Sequence, residues 1–340
     1  MVDYSQPTGW MPLVFMMLMG LAMLVYVVLD GYDLGVGVLL RRAGPEEQDM
    51  MIASIGPFWD ANETWLVLGV GVLLSAFPLA HGMILSALYL PVALMLTGLI
   101  LRGVAFDFRV KARDQHKPWW NRAFYAGSVL AGFSQGLMLG LYITGFGRDI
   151  WSYLFAAFVG LALLAGYTLL GACWLLIKTT GALQRRAVNW ARGSLWLTAL
   201  GVAAISLVTP LVSDQIFEKW FALPNMLLLA PIPLATVALL VMGELLLRRL
   251  PERLGLGDER DIWKPFACIA GVFVLAFCGL AYSLFPFLVV DKLTIWQAAS
   301  APASLGFMLV GIAVVLPCIV FYTIFSYRVF WGKAEPLGYE

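Results

Sequence analysis

Nine apolar runs, each about the length that a helix needs to cross a bilayer, follow one another from one end of the chain to the other. A hydrocarbon layer of about 30 Å takes roughly 20 residues of helix, and only helices and closed barrels satisfy their own backbone inside it. The runs fall near residues 10–40, 57–77, 80–102, 121–146, 150–177, 192–213, 223–247, 265–288 and 304–327. Composition agrees: 61% of the 340 residues are hydrophobic and 13% charged, well outside the range of soluble domains. The expected fold is an all-α integral membrane protein of about nine transmembrane helices. It forms one polytopic domain over 1–340, polar up to about residue 122 and mainly structural over 123–340. Only a short turn at Pro78 separates the second run from the third, so merging there would leave eight. A net charge of +1 argues against a nucleic-acid partner.

Basic residues set the orientation. Of the 22 Lys and Arg residues, only Arg148, Lys219 and Lys292 fall in one set of alternate segments, and the other 19 fall in the opposite set. Loops rich in Lys and Arg stay in the cytoplasm, which places the N-terminus outside and the C-terminus inside. The start, Met1 to Trp10, carries Asp3 and no basic residue, and its apolar run exceeds a signal-peptide core. The first span is therefore expected to be retained. Trp10, Trp59, Trp119, Trp151, Trp263 and Trp331 lie at or near run ends, as an interfacial aromatic belt requires.

Local signals refine the picture. Gly44 to Ile52, with Pro45 near its start and acids following, reads as a short helix on the cytoplasmic surface. Gly31-x-x-x-Gly35 and Gly136-x-x-x-Gly140 permit close helix approach, and Pro91 and Pro317 should kink their helices. Cys173, Cys268, Cys278 and Cys318 lie in apolar runs without a Cys-x-x-Cys pair. They read as small buried hydrophobes rather than as disulfides or metal ligands.

Ionisable residues inside apolar runs are costly, about 2.5–3.5 kcal/mol each at the bilayer centre and less toward its edge. Here they gather at one level. Asp30 and Asp33 close the first run, Asp60 and Glu63 open the second, and Arg102, Asp107 and Arg109 close the third, all expected on the cytoplasmic side. Each acidic pair shares a helix face at i, i+3. Two readings fit. Either these groups are interfacial, wetted and paired for packing alone, or they form a proton-conducting cluster whose carboxyls desolvation and mutual repulsion drive toward neutral pKa values. Arg102 cannot release its proton and would hold a neighbouring carboxylate ionised. Asp60, just inside the span boundary, is expected to be partly desolvated. Asn62-Glu63-Thr64 matches a glycosylation sequon on the wrong side of the membrane and reads as chance. Two histidines, His81 in an expected outer turn and His116 in a cytoplasmic loop, fall on opposite sides, which rules out bis-histidine haem ligation within this chain.

Three segments, Asp30-Gly-Tyr-Asp-Leu-Gly-Val-Gly37, Gly56-Pro-Phe-Trp-Asp-Ala-Asn-Glu-Thr-Trp65 and Leu101-Arg-Gly-Val-Ala-Phe-Asp-Phe-Arg109, are similar to the N-terminal signatures of subunit II of cytochrome bd-type quinol oxidases, including the cyanide-insensitive branch. Thr294-Ile-Trp-Gln-Ala-Ala-Ser300 resembles the C-terminal signature. Ala61 departs from the usual Gly after the Trp-Asp pair and adds only a methyl group. The resemblance implies two four-helix bundles plus a peripheral helix. It implies a haem-bearing partner, subunit I, with two b-type haems and haem d, which oxidises quinol and reduces dioxygen to water. It implies that this subunit binds no haem and lines a cytoplasmic proton-uptake route, whose family positions match Asp60, Arg102 and Asp107. A structural quinone, lipids and small single-span accessory subunits are further partners on the same ground. A proton-coupled secondary transporter would use the same acids, but it should show an internal repeat and broken helices at the midplane.

Overall fold

A computed structural model describes residues 3–212 and 214–335. Thirteen helices and one hairpin are formed by them: α1 (Pro7–Leu39), α2 (Pro45–Ile55), α3 (Trp59–Ala76), α4 (Pro78–Lys111), α5 (Lys117–Ile143), α6 (Ile150–Lys178), α7 (Gly181–Val212), α8 (Asp214–Phe221), α9 (Asn225–Leu229), α10 (Pro231–Gly255), α11 (Lys264–Leu284), the strands β1 (Phe287–Val289) and β2 (Leu293–Thr294), then α12 (Ile295–Ala298) and α13 (Pro302–Val329). Among the described residues, eight helices are long and apolar enough to cross a membrane: α1, α4, α5, α6, α7, α9 with α10, α11 and α13. The second expected span, α3, forms over 18 residues, about 27 Å at 1.5 Å per residue. Asp60, Asn62 and Glu63 in its first turns keep it outside that set of eight.

Two compact units divide the chain. Unit 1 takes Met1–Asp30, Pro57–Tyr89 and Leu284–Trp331. Its core sets Ala22 and Tyr26 of α1 against Trp65 of α3, with Leu316 and Ile319 of α13 packed on them. At Gly69 an added Cβ would lie 2.8 Å from the sulfur of Met23, so α3 and α1 pack closely there. Trp296 Nε1 donates to Gly9 O at 3.0 Å, while Ser300 donates through N to Ala76 O and through Oγ to Ser75 O, both at 2.8 Å. The segment Thr294 to Ser300 is thus a clasp. It satisfies carbonyls at the end of α3 that a helix C-terminus leaves open.

Unit 2 takes Gly31–Gly56, Leu90–Ser283 and Gly332–Glu340. Both predicted glycine pairs work as expected. A Cβ at Gly35 would meet Tyr167 O at 1.8 Å, and one at Gly31 would meet the Tyr167 ring at 2.7 Å. Gly136 and Gly140 face Gly160 and Ala156 of α6 equally closely. After α13, residues 332–334 return to the end of α6. Lys178 Nζ donates to Gly332 O at 2.9 Å, Ala334 N to Lys178 O at 2.8 Å and Lys333 Nζ to Thr179 O at 3.0 Å.

Two local expectations change, and the kink expected at Pro91 is present. The helix α2 forms, capped where Glu47 Oε2 accepts from Gly44 N at 3.1 Å, but it does not simply lie on a surface. Its second half, Met51 to Ile55, is buried, and Ser54 O accepts from Trp174 Nε1 at 3.1 Å. Among the cysteines Cys173 is buried and Cys268 half-buried, yet Cys278 and Cys318 are exposed on apolar helices. A thiol is small and apolar enough to face lipid as readily as a core. In α4 the helical geometry breaks at Leu88 (φ −108°, ψ 15°), three residues before Pro91. The proline ring collides with the preceding turn, so the break precedes the proline.

Candidate functional site

The ionisable residues at the ends of the first three spans are best followed unit by unit. In unit 1, Asp30, nine residues before the end of α1, is fully buried. Asn62, between the two acids of α3, is fully buried as well. Its Nδ2 donates to Leu29 O at 3.5 Å, its Oδ1 accepts from the Tyr327 hydroxyl at 3.1 Å, and its N donates to Phe58 O at 2.9 Å. Phe58 packs on Tyr327 at a centroid distance of 4.7 Å and meets Phe330 edge-on. The amide of Asn62 therefore ties α1, α3 and α13 together. Glu63 is half-buried, and Asp60 is exposed. On the single chain Asp60, the second residue of α3, points away from the packed side that Asn62 and Trp65 occupy.

In unit 2, Asp33 is fully buried and Arg102 is 1% exposed, the largest of the fully buried side chains. It lies where α4 packs closely on α5. A Cβ on Gly127 would stand 2.6 Å from Gly98 O and 2.8 Å from Arg102 N, so the two backbones touch one turn before and at Arg102. The ring of Tyr32, next to Asp33, stacks on Trp174 of α6 at 4.2 Å.

Arg109 has a different role from the one its position suggested. It is buried and donates through Nη2 to Asp49 Oδ1 at 2.5 Å and through Nε to Asn121 Oδ1. Asn121 Nδ2 donates to Gln48 Oε1 at 2.6 Å, and Gln48 Nε2 donates to Leu40 O and Ala43 O. This network joins α2, α4 and α5, and its carboxylate comes from α2. Asp107, two residues earlier, is exposed.

The site residues therefore divide by burial. Asp30, Asp33 and Arg102 are enclosed, Glu63 is intermediate, and Asp60 and Asp107 stand on the surface of the chain. Asn62 and Tyr327 were not among the predicted site residues. Asn62 sits between two acids in a motif already marked, which was a usable signal; Tyr327 lies 265 residues away, and nothing local marks it. Gln48 and Asp49 fall in the segment expected to be a short surface helix, and nothing in it singled them out. His81 lies in the first turn of α4 rather than in a turn outside it, half-buried, and His116 is exposed ahead of α5. Neither histidine is buried on the single chain. Among the described residues no group of three or more His, Cys, Asp or Glu could hold a metal ion.

The fold and these residues define a polytopic all-α membrane protein that keeps acids and an arginine buried within or at the ends of its spans. The subunit II family of the cytochrome bd terminal oxidases matches residues 11–330, and the chain belongs to that family. It is 27% identical to cytochrome bd ubiquinol oxidase subunit 2 of Bacillus subtilis (strain 168), covering 97% of this chain and 98% of that one. With cytochrome bd-I ubiquinol oxidase subunit 2 of Escherichia coli (strain K12) the identity is 26%, over 98% and 96%. Its fold matches that seen in the structure of bd oxidase from Geobacillus thermodenitrificans, with a TM-score of 0.73 and 18% identity over 95% of this chain and 99% of that chain. This is a subunit of a cytochrome bd quinol oxidase complex, and its fold is the all-α membrane fold expected.

Proposed function

We propose that this chain is the haem-free subunit II of a quinol oxidase in a bacterial cell (inner) membrane, that it stabilises a haem-bearing subunit I, and that it lines a cytoplasmic proton-uptake route. The observation that carries the proposal is the full burial of Asp30, Asp33 and Arg102 within membrane helices of a member of this family. Such groups are kept where they pair or conduct. In this reading Asp30, Asp33 and half-buried Glu63 are the carboxyl groups that pass a proton along. Arg102 stays charged and fixes the ionisation of its surroundings.

Asp60 and Asp107 are the entrance and hand-over points in this reading. Their exposure on the single chain fits positions that water reaches and that a partner subunit covers on assembly. The N-terminus lies outside and the C-terminus in the cytoplasm, a topology supported by the 19 to 3 division of basic residues. The haems and dioxygen chemistry belong to the partner, and quinol is the reductant. A structural quinone, lipids or small accessory subunits would join the same assembly. Co-expression with subunit I and purification through a tag on this chain tests the reading. The pair should carry b-type and d-type haem absorbance while this chain alone is colourless. Stoichiometric haem on this chain alone, lost on changing His81 or His116, would overturn the haem-free assignment.

A further inference from the structure

Glu244 is a buried carboxylate of the later spans that the proton route does not use. It is buried in the middle of α10, and one oxygen, Oε1, accepts from two arginines: Arg248 Nε at 2.7 Å and Arg192 Nη2 at 3.4 Å. The carboxylate is 9% exposed, while the side chains of Arg192 and Arg248 are 41% and 58% exposed. One anion thus fixes two guanidinium groups at the surface of the packed pair α7 and α10. One formal positive charge remains in excess. Arg249 and Glu252, exposed on the adjoining turn, cancel each other. Arg248 has both Nη groups left to donate, since Glu244 takes its Nε.

The surface below the arginines is apolar at helical spacing. On α7, Trp196, Leu200 and Leu207 follow Arg192 and are exposed. On α10, which runs the opposite way, Leu245, Val241, Val237 and Leu234 lead away from Arg248 and are exposed too. Residues three and four apart share a helix face, so each arginine heads an apolar stripe that descends along a membrane helix. Trp beside Arg at the head of such a stripe suits the boundary between headgroups and chains.

We infer that Arg192 and Arg248, held by Glu244, form a binding site for the phosphate of an anionic phospholipid, whose acyl chains lie along the apolar stripes of α7 and α10. Two guanidinium groups match a phosphodiester in charge and in hydrogen-bond geometry. A neutral zwitterionic headgroup carries its own cation and gains less from the excess charge.

The test uses the full-length chain purified in detergent and delipidated, titrated with phosphatidylglycerol or with phosphatidylcholine of the same acyl chains, and read by native mass spectrometry. Phosphatidylglycerol should bind more tightly. Arg192→Gln and Arg248→Gln should each weaken it by about fivefold, at roughly 1 kcal/mol per basic residue near the headgroups, and leave phosphatidylcholine unchanged. The Lys substitutions keep charge and should fall between. Trp196→Ala leaves the ionic cluster intact, keeping the test open if the Gln variants unfold; it should weaken both lipids alike. Inorganic phosphate should not displace the lipid. Equal binding of the two lipids, phosphatidylglycerol affinity unchanged in both arginine variants, or displacement by inorganic phosphate alone would each overturn the inference.

Discussion

The hydroxyl of Tyr327 donates to Oδ1 of Asn62 across 3.1 Å, joining the last turn of α13 to the first turn of α3. Asn62 is fully buried while Asp60, two residues earlier, is exposed. One helix turn thus presents an amide inward for packing and a carboxylate outward. This relationship separates residues that hold the unit together from residues free to serve chemistry. Tyr327→Phe removes one hydrogen bond and should cost about 0.5–1.5 kcal/mol. Asn62→Leu strands the partners of both amide atoms and should cost more. Thermal unfolding of the purified protein measures both, and equal stability of the two variants would mean that Asn62 is not the tie described.

Asp60→Asn keeps shape and removes the titratable proton. Because Asp60 is exposed on the chain, folding and haem content of the complex should be normal while oxidase turnover falls. A tenfold fall corresponds to about 1.4 kcal/mol on the limiting barrier. Asp60→Glu should recover part of the rate. Wild-type turnover with intact generation of membrane potential in Asp60→Asn would remove Asp60 from the proton route and favour the packing role.

The backbones of α4 and α5 touch at Gly98 and Gly127, beside buried Arg102. Gly127→Ala places a methyl group 2.6 Å from Gly98 O, and overpacking of this kind costs about 1–3 kcal/mol. Arg102→Leu should be worse, about 3–5 kcal/mol if it leaves buried negative charge uncompensated. The expected readout is loss of assembled complex from membranes; full yields of both variants would contradict the packing argument.

Asp149 caps α6. Its Oδ1 accepts from Trp151 N and Ser152 N at 3.0 Å, and its Oδ2 from Ser152 Oγ at 2.6 Å. The Ser152 hydroxyl first, then backbone N–H groups, hold its carboxyl below the usual 3.8. A depressed folded value means that the cap's contribution is present above the unfolded value and lost as pH falls through the folded one. Amide exchange at the start of α6 should therefore accelerate only below about pH 4, and Asp149→Asn should flatten that limb of the profile.

Reporter fusions after Asp149 and Lys292 should read as outside, and fusions after Arg113 and Arg260 as cytoplasmic. A single exchanged pair would mean that one of the spans, α3 first of all, does not cross.

The apolar runs alone determined the helical membrane fold, because backbone in hydrocarbon has few ways to satisfy its hydrogen bonds. Gly31-x-x-x-Gly35 and Gly136-x-x-x-Gly140 were legible as close approaches, since a missing Cβ is visible in the residue itself. The motifs also marked Asp30, Asp33, Asp60, Glu63, Arg102 and Asp107 together. What they could not determine was which of these side chains is enclosed. Burial depends on the helix packed against each face: Arg102 lies where α4 meets α5 at Gly127 and is buried, while Asp60 is exposed on this chain. Pairing across long separations was hidden for the same reason. Arg109 finds Asp49 at a separation of 60 residues, and Asn62 finds Tyr327 at 265. Local sequence carries a helix's periodicity and its caps, but the partner across an interface exists only once both helices are in place.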